Sequence, residues 1–189
     1  MNSCRSMSLI SNVKKMTRLM FLLVILACSS MKVNSFSLTT KTTVQGSPKE
    51  LFNFIATPTN WPSIVLSSHS VKKLSSKNNP VDAPLKVGDG VEEVFGLPPL
   101  LPLSVSWECV VADEKTGQLE FFSKDGVPNL AKNCSMKFNV APAASESRTD
   151  VELVMGYEAL NPLVFAATPI LNLDNSIALK LLLPLAMKQ

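Results

Sequence analysis

The sequence is short of the residue types that build most catalytic and metal sites. It has a single histidine, His69, and four cysteines among 189 residues. A histidine-based triad would have to use His69, yet this residue stands in the polar stretch LSSHSVKK with no acid nearby, which is typical of a solvated loop. One histidine and the scattered cysteines do not make up a metal site. The sequence therefore predicts neither a catalytic triad nor a bound metal ion.

Two further signatures of enzymes are missing. The chain has only seven glycines, and none of them forms a Gly-rich phosphate-binding loop. No pair of carboxylates falls on an inward face of the predicted strands. The acids that we assign mostly to the solvent side are Glu92, Glu93, Glu108, Glu120, Glu152 and Glu158. We therefore expect no catalytic residue and no cofactor.

Negative charge is absent from the N-terminal part of the chain. Residues 1–35 hold five of the 18 basic residues and none of the 15 acidic ones. The remainder is slightly acidic, so it lacks the basic surface that attracts nucleic acids and anionic membranes. We expect no nucleic-acid partner.

The same N-terminal part has the pattern of a targeting leader. A basic stretch precedes the apolar run LMFLLVILAC at residues 19–28, and small and polar residues follow it. The run is shorter than a membrane span, which needs roughly 20 apolar residues. Val33 and Ser35 fit the small-residue rule for cleavage before Phe36, and Met16 is an alternative start that leaves a compact signal peptide.

These features divide the chain into a leader, residues 1–35, and one domain, residues 36–189. We expect a protein of the secretory pathway or the extracellular space. Two alternatives stay open. The acid-free stretch FSLTTKTTVQGSPK, placed after a signal peptide, resembles the two-part plastid leader of algae with secondary plastids, and the apolar run could remain as an uncleaved anchor.

The domain begins with a strand and a short capped helix. Residues 37–44 alternate and are rich in β-branched side chains, as in a half-buried strand. Ser47, Pro48 and Glu50 match the capping-box pattern of a helix start. The helix ends before Pro58, and its apolar face is Leu51, Phe52, Phe54 and Ile55.

Period-two alternation begins near Val71 and continues for most of the domain. Short turns separate the alternating segments, so the sequence predicts a meandering antiparallel sheet with one apolar face. The inward positions are Leu103, Val105, Trp107, Cys109, Val111, Leu119, Phe121, Cys134, Met136, Phe138, Val140, Val151, Leu153, Met155 and Tyr157.

The last part of the domain is almost continuously apolar. Prolines interrupt it at 162, 169 and 184, and LNLDNSIALKLLL consists mainly of good helix formers. A helix that is apolar nearly all round should be covered on most sides. We therefore expect the sheet to curve around this helix and the short N-terminal helices to close one end.

This order of elements resembles the START-like or helix-grip superfamily, an α+β fold in which a curved antiparallel sheet wraps a long C-terminal helix. The superfamily includes the polyketide cyclase/dehydrase and lipid-transport group and the coenzyme Q-binding START-like proteins. The most specific part of the resemblance is residues 48–62, PKELFNFIATPTNWP, and LKVGDGVEEVFG matches the Gly turn that enters a strand. These patterns identify a fold better than a function.

The resemblance implies a deep apolar cavity between the sheet and the long helix. Met-rich and aromatic walls favour an adaptable apolar ligand. Tyr157 is the inward residue whose hydroxyl could orient a polar head group, unless it pairs with a backbone carbonyl. The candidate ligand-binding residues are Val105, Trp107, Phe121, Met136, Phe138, Leu153, Met155, Tyr157, Ile177 and Leu181.

Cys109 and Cys134 are expected to be free, buried thiols. The meander puts them on strands that flank the QLEFFS strand, two strand spacings or about 9.5 Å apart. A disulfide needs Cα atoms within about 7 Å.

The segment FGLPPLLPLS departs from the family pattern. We interpret it as a stiff loop, since its prolines cannot continue a sheet ladder. Leu97, Leu100 and Leu101 would then form an apolar lip at the cavity mouth that makes transient membrane contact or guards ligand entry.

From the sequence we expect a monomeric, non-catalytic protein that binds or transports a lipid, isoprenoid, quinone or pigment. The first alternative is an enzyme of the polyketide cyclase/dehydrase type. The second is an interaction module whose apolar C-terminal helix docks a partner or a membrane.

Overall fold

Seven antiparallel strands form one sheet in the computed structural model, which describes residues 35–75, 82–97, 101–145 and 147–188. Nearly all of the expected leader lies outside these residues. The strands are β1 Ser35–Gln45, β2 Ser68–Ser75, β3 Gly90–Leu97, β4 Leu101–Asp113, β5 Gln118–Ser123, β6 Ala131–Pro142 and β7 Arg148–Ala159.

The order across the sheet is β1-β7-β6-β5-β4-β3-β2, so β2 to β7 form the predicted meander. β1 pairs with β7 at one edge, for example Leu38 with Met155. β2 forms the other edge. The chain therefore crosses the whole sheet between its first two strands, and the short helices lie in this crossing.

The first of these helices is α1, Pro48–Ala56, and its capping box is confirmed. The backbone N–H of Glu50 donates to Ser47 Oγ at 3.2 Å, and the backbone N–H of Ser47 donates to Glu50 Oε2 at 3.1 Å. Both bonds satisfy donors that a helix start would leave without partners. The buried face of α1 includes Leu51 and Ile55.

A tryptophan fixes the end of α1. A 3₁₀ turn, Pro58–Asn60, leads into α2, Trp61–Ile64. The indole Nε1 of Trp61 donates to the Ile55 carbonyl at 2.8 Å, which satisfies an acceptor that the end of a helix leaves open. The Trp61 ring packs edge-on against Phe121 with centroids 5.1 Å apart. The sequence reading of Trp61 as a packing anchor agrees with these contacts.

The long C-terminal helix is continuous but not uniform. It consists of α3, Leu163–Ile177, a π-helical turn, Ala178–Leu182, and α4, Leu183–Ala186. The expectation that it is covered on most sides is wrong, because the sheet covers one face and leaves the opposite one in solvent. Large side chains on the outer face are Leu163, Ile170, Leu173, Leu181 and Leu185, each 51–68% exposed.

Two of the three predicted lip residues lie in strands. β3 and β4 pair as far as Leu97 opposite Leu101, so these two residues are not in a loop as predicted. Residues 98–100, Leu100 among them, lie outside the described part of the chain. Pro102 lies in β4 opposite Gly96. A proline is tolerated there because pairing of β4 with β5 begins only at Glu108, so this stretch pairs along one side. Membrane contact through the lip stays a prediction.

His69 lies in a strand, which corrects its placement in a loop. β2 begins at Ser68, and its register with β3 shifts between Ser68 and Ser70, so His69 is the extra residue of a bulge. His69 Nε2 is 3.3 Å from the Gly96 carbonyl oxygen at an exposed position.

No helix among the described residues has the length and hydrophobicity that crossing a membrane requires.

Candidate ligand-binding cavity

A cavity of about 200 Å³ lies between the sheet and the C-terminal helix. Ile55, Trp61 and Ile64 of the short helices also contribute to its wall. A single buried water needs only about 10–15 Å³ on a comparable measure, so this space exceeds an ordinary packing defect. Its lining is almost entirely apolar.

The structure brings most of the predicted lining residues together. Those on the wall are Val105, Trp107, Met136, Phe138, Leu153, Met155 and Tyr157. Phe121 points the same way but is fully buried in the packed core, between Trp61 and Phe138 with ring centroids 5.1 and 6.4 Å away. It supports the wall from behind. That these residues bind a ligand remains a proposal.

The face of the C-terminal helix differs from the predicted one. Leu181 is 54% exposed on the outer face, and Ile177 is half-buried beside the cavity rather than on its wall. The helix residues on the wall are Val164, Ala167, Leu171, Asp174, Asn175, Ala178 and Leu179. The face of the helix that lines the cavity is therefore not the one that carries Ile177 and Leu181. An apolar pattern on all sides of a helix carries no information about its rotation, and this explains the error.

Small side chains leave the space open. Ala131 lines it from the sheet side, and Ala167 and Ala178 line it from the helix. A leucine in place of either helix alanine would extend into the cavity. The volume is thus a consequence of the sequence, not of loose packing alone.

A buried carboxyl group, Glu93 on β3, interrupts the apolar wall. Glu93 is 7% exposed and lines the cavity. The indole Nε1 of Trp107 donates to Glu93 Oε2 at 3.0 Å. The two residues are diagonal neighbours, since Glu93 is opposite Val105 and Val91 is opposite Trp107.

Burial raises the pKa of Glu93, because removal from water disfavours the carboxylate. Hydrogen bonding from Ser68 and Trp107 acts in the opposite direction but is smaller than the effect of burial, and the nearby negative charge of Asp174 raises the pKa further. Ser68 Oγ is itself buried and, within the described residues, makes no hydrogen bond of ordinary geometry. Glu93 is therefore biased towards the neutral carboxylic acid.

Glu93 is the residue that the sequence reading missed. The segment VEEV reads the same from both ends, so its alternation places one glutamate inward whichever phase is chosen. Phe95 could have fixed the phase, because Val91, Glu93 and Phe95 share the inward face. The assignment of Glu93 to the solvent side is therefore wrong.

Asp174 and Asn175 of α3 complete a small polar region next to Glu93. Asp174 accepts a hydrogen bond from the hydroxyl of Ser67. The Asn175 side-chain amide donates only weakly, to the thioether sulfur of Met155 at 3.7 Å. We call Glu93, Ser67, Asp174 and Asn175 the polar end of the cavity.

The Tyr157 hydroxyl is bound within the protein. It lies 2.8 Å from Thr168 Oγ1, which in turn donates to the Val164 carbonyl at 2.8 Å. Since Thr168 uses its proton on Val164, Tyr157 donates to Thr168. The partner is thus neither a ligand head group nor a backbone carbonyl, the two roles considered from the sequence.

Cys109 and Cys134 are free and buried, as predicted. They lie on β4 and β6 with β5 between them. Burial raises the pKa of both thiols to about 11. Cys134 is on the cavity wall, but a protonated thiol is a poor nucleophile. Within the described residues, no three His, Cys, Asp or Glu side chains are grouped as they would be to hold a metal ion.

The antiparallel sheet, the C-terminal helix packed on it and the cavity between them are the features of the helix-grip fold. The chain therefore has the fold predicted from its sequence. The di-domain ARO/CYC BexL from the BE-7585A biosynthetic pathway is similar in structure, with a TM-score of 0.61 and 17% identity over 82% of this chain and 48% of that one. This chain thus spans about half of BexL.

Two plant proteins are similar along most of their length. Major latex-like protein 151 from Panax ginseng has a TM-score of 0.57 and 18% identity, covering 77% of this chain and 93% of that one. Norcoclaurine synthase from Thalictrum flavum, in complex with dopamine and hydroxybenzaldehyde, has a TM-score of 0.56 and 11% identity. The match covers 83% of this chain and 89% of the synthase chain. Identities this low establish the fold alone. No protein-family model and no curated protein sequence matches the chain.

Proposed function

We propose that this protein binds and carries a hydrophobic small molecule in the cavity between the sheet and the C-terminal helix, without transforming it. Lipids, isoprenoids, quinones and pigments are the ligand classes considered. The observation that carries the proposal is an almost wholly apolar cavity of about 200 Å³ inside an otherwise closely packed domain. Proteins of very different sequence share this fold, and one of them holds small aromatic molecules.

The size of the cavity supports a ligand on energetic grounds. At about 24 cal/mol per Å³, an unfilled cavity of this volume would cost roughly 5 kcal/mol. That cost is comparable to the whole net stability of a small domain. An apolar ligand that fills the space would recover much of this free energy.

Loss of binding on filling the cavity tests the proposal. Ala178→Phe directs a large side chain from the helix into the cavity, whereas Leu181→Phe places the same ring on the exposed outer face of the helix. We expect native mass spectrometry to detect copurifying small molecules on the wild type and on Leu181→Phe, and none on Ala178→Phe. Equal loading of all three proteins would contradict the proposed location of the ligand.

A cyclase-like enzyme is the second candidate, and Glu93 is the observation that favours it. A neutral carboxyl group at the edge of an apolar cavity can act as a general acid towards a ligand carbonyl. Product formation from an aromatic polyketide analogue, abolished in Glu93→Gln while ligand binding persists, would support the enzyme. Binding without turnover in the wild type would support the carrier.

A further inference from the structure

The polar end of the cavity contains hydrogen-bonding capacity that the protein does not use fully. Glu93 Oε2 already accepts the Trp107 N–H at 3.0 Å. A neutral carboxyl group also has one O–H to donate. Around it, the cavity wall is formed by apolar side chains such as Phe95, Leu103 and Val105. Ser68, the other uncharged polar neighbour of Glu93 besides Trp107, acts on it as a hydrogen-bond donor, so an acceptor for the Glu93 proton is best supplied from inside the cavity.

We propose that the Glu93 carboxyl group donates a hydrogen bond to a neutral carbonyl-type oxygen of the bound molecule, so that the cavity selects an apolar ligand with such an oxygen at one end. This inference rests on the proposed function and narrows its ligand class. It favours a ketone, quinone or ester over a plain hydrocarbon and over a free fatty acid.

Charge at the polar end excludes anionic head groups. Glu93 faces Ser68 on β2, Trp107 on β4 and Asp174 on α3. Among the described residues, the charged group that acts on Glu93 is Asp174, and its charge is negative. A carboxylate ligand placed there would meet a like charge without a compensating cation, which is strongly unfavourable in an apolar cavity.

Three naphthalenes of similar shape separate these possibilities. 2-Acetylnaphthalene carries the carbonyl, 2-isopropenylnaphthalene is its hydrocarbon counterpart, and 2-naphthoic acid is anionic at neutral pH. Trp61 and Trp107, the two tryptophans of the chain, both line the cavity, so their fluorescence reports binding to the full-length protein. We expect the wild type to bind the ketone about three- to tenfold more tightly than the hydrocarbon, which is the effect of one net hydrogen bond. The acid should bind least.

Two substitutions at position 93 test whether Glu93 is the donor. Glu93→Gln keeps an acceptor for the Trp107 N–H and supplies an amide N–H, so it should retain the preference for the ketone. Glu93→Leu should bind ketone and hydrocarbon equally well. Asp174→Asn removes the charge and should raise the affinity for the acid without changing the ketone preference.

The outcomes distinguish this inference from the proposed function. Binding of none of the three compounds by the wild type would overturn both. Equal binding of ketone and hydrocarbon by the wild type would overturn only the inference, and this comparison does not depend on how well any variant folds. A ketone preference that survives in Glu93→Leu would likewise exclude Glu93 as the donor.

Discussion

The inward face of the sheet borders two regions of the core that differ in packing density. Under α1 the interior is closely packed, and we call this the packed end: Val44, Leu51, Leu119, Phe121 and Val140, each at most 3% exposed. Under the C-terminal helix the same face of the sheet borders the cavity. Most of the sheet residues are large and apolar in both places, although Ala131 and Glu93 also border the cavity. The helices contribute to the difference, because the buried face of α1 is mainly leucine, phenylalanine and isoleucine, whereas the C-terminal helix places Ala167 and Ala178 among its larger inward residues.

This difference separates folding from function within one core. Large residues under α1 supply the apolar burial that stabilises the domain. Small residues under the C-terminal helix give up part of that burial and leave room for a ligand. Substitutions at the packed end should therefore change mainly stability, and substitutions around the cavity should change mainly binding.

The largest effect is expected from Phe121→Ala. Phe121 is fully buried and contacts Trp61 and Phe138, so its truncation should lower the free energy of unfolding by about 3–5 kcal/mol. Leu173→Ala, at a position 60% exposed, is the control and should change it by less than about 0.5 kcal/mol. Urea unfolding measures both values. Similar losses in the two variants would mean that the packed end is not the stabilising part of the core.

A smaller loss of stability should show which face of the C-terminal helix is directed towards the sheet. Leu179 is 2% exposed on the inner face, and Leu181 is 54% exposed on the outer face. Leu179→Ala should lower the free energy of unfolding by about 2–3 kcal/mol, the low part of the range for buried leucines, because one side of Leu179 already borders the cavity. Leu181→Ala should have almost no effect. A large loss in Leu181→Ala and a small one in Leu179→Ala would instead support the sequence prediction that Leu181 faces inward.

The two regions of the core also differ in how well the sequence predicts them. Ser47, Pro48 and Glu50 fix the start of α1 through contacts within four residues, so the local pattern sufficed. Alternation fixed the inward face of β5 to β7, and of β4 as far as Cys109, because polar residues mark the other side. Beyond Cys109 a bulge shifts the register and pairs Val111 with Glu120 on the solvent side, so the inward assignment of Val111 is wrong. These segments, with the Cys109 and Cys134 positions, were predictable because one face of each is polar.

The rest of the site lacks this contrast. The C-terminal helix is apolar all round, so its phase depends on which residues fit against the sheet. Glu93 sits in a segment with two adjacent glutamates, so the alternation shows which of them is inward only when it is extended to Phe95. A cavity is a difference between the volume enclosed by the backbone and the volume of its side chains. No linear pattern records that quantity.

The free energy of unfolding should depend on pH differently in the wild type and in Glu93→Gln. Burial raises its pKa above the ordinary value of 4.5, so the folded state holds the proton more tightly than the unfolded state does. The resulting stabilisation is complete below the unfolded pKa and is lost as pH rises through the folded pKa. Within that window the wild type should lose up to about 1.4 kcal/mol per pH unit relative to Glu93→Gln, which has no proton to lose.

Paired denaturant titrations of these two proteins, from pH 4 upwards, measure this difference. Asp174→Asn should narrow the pH range between the unfolded and folded pKa values of Glu93, because the negative charge of Asp174 contributes to the raised pKa. Parallel curves for wild type and Glu93→Gln at every pH would contradict a buried, neutral Glu93. They would also remove the main support for a hydrogen-bond donor in the cavity.

The smallest effect is expected at the other polar group of the wall, Tyr157. Its hydroxyl already donates to Thr168, so Tyr157→Phe should lower the free energy of unfolding by about 1 kcal/mol, the value of one net hydrogen bond. It should leave the preference for 2-acetylnaphthalene over its hydrocarbon counterpart unchanged, because the bond that it removes lies within the protein. Titration by tryptophan fluorescence, with Glu93→Leu as the contrasting variant, checks this. If Tyr157→Phe abolished the preference and Glu93→Leu preserved it, the donor to the ligand would be Tyr157, since its hydroxyl would then have to leave Thr168 when the ligand binds.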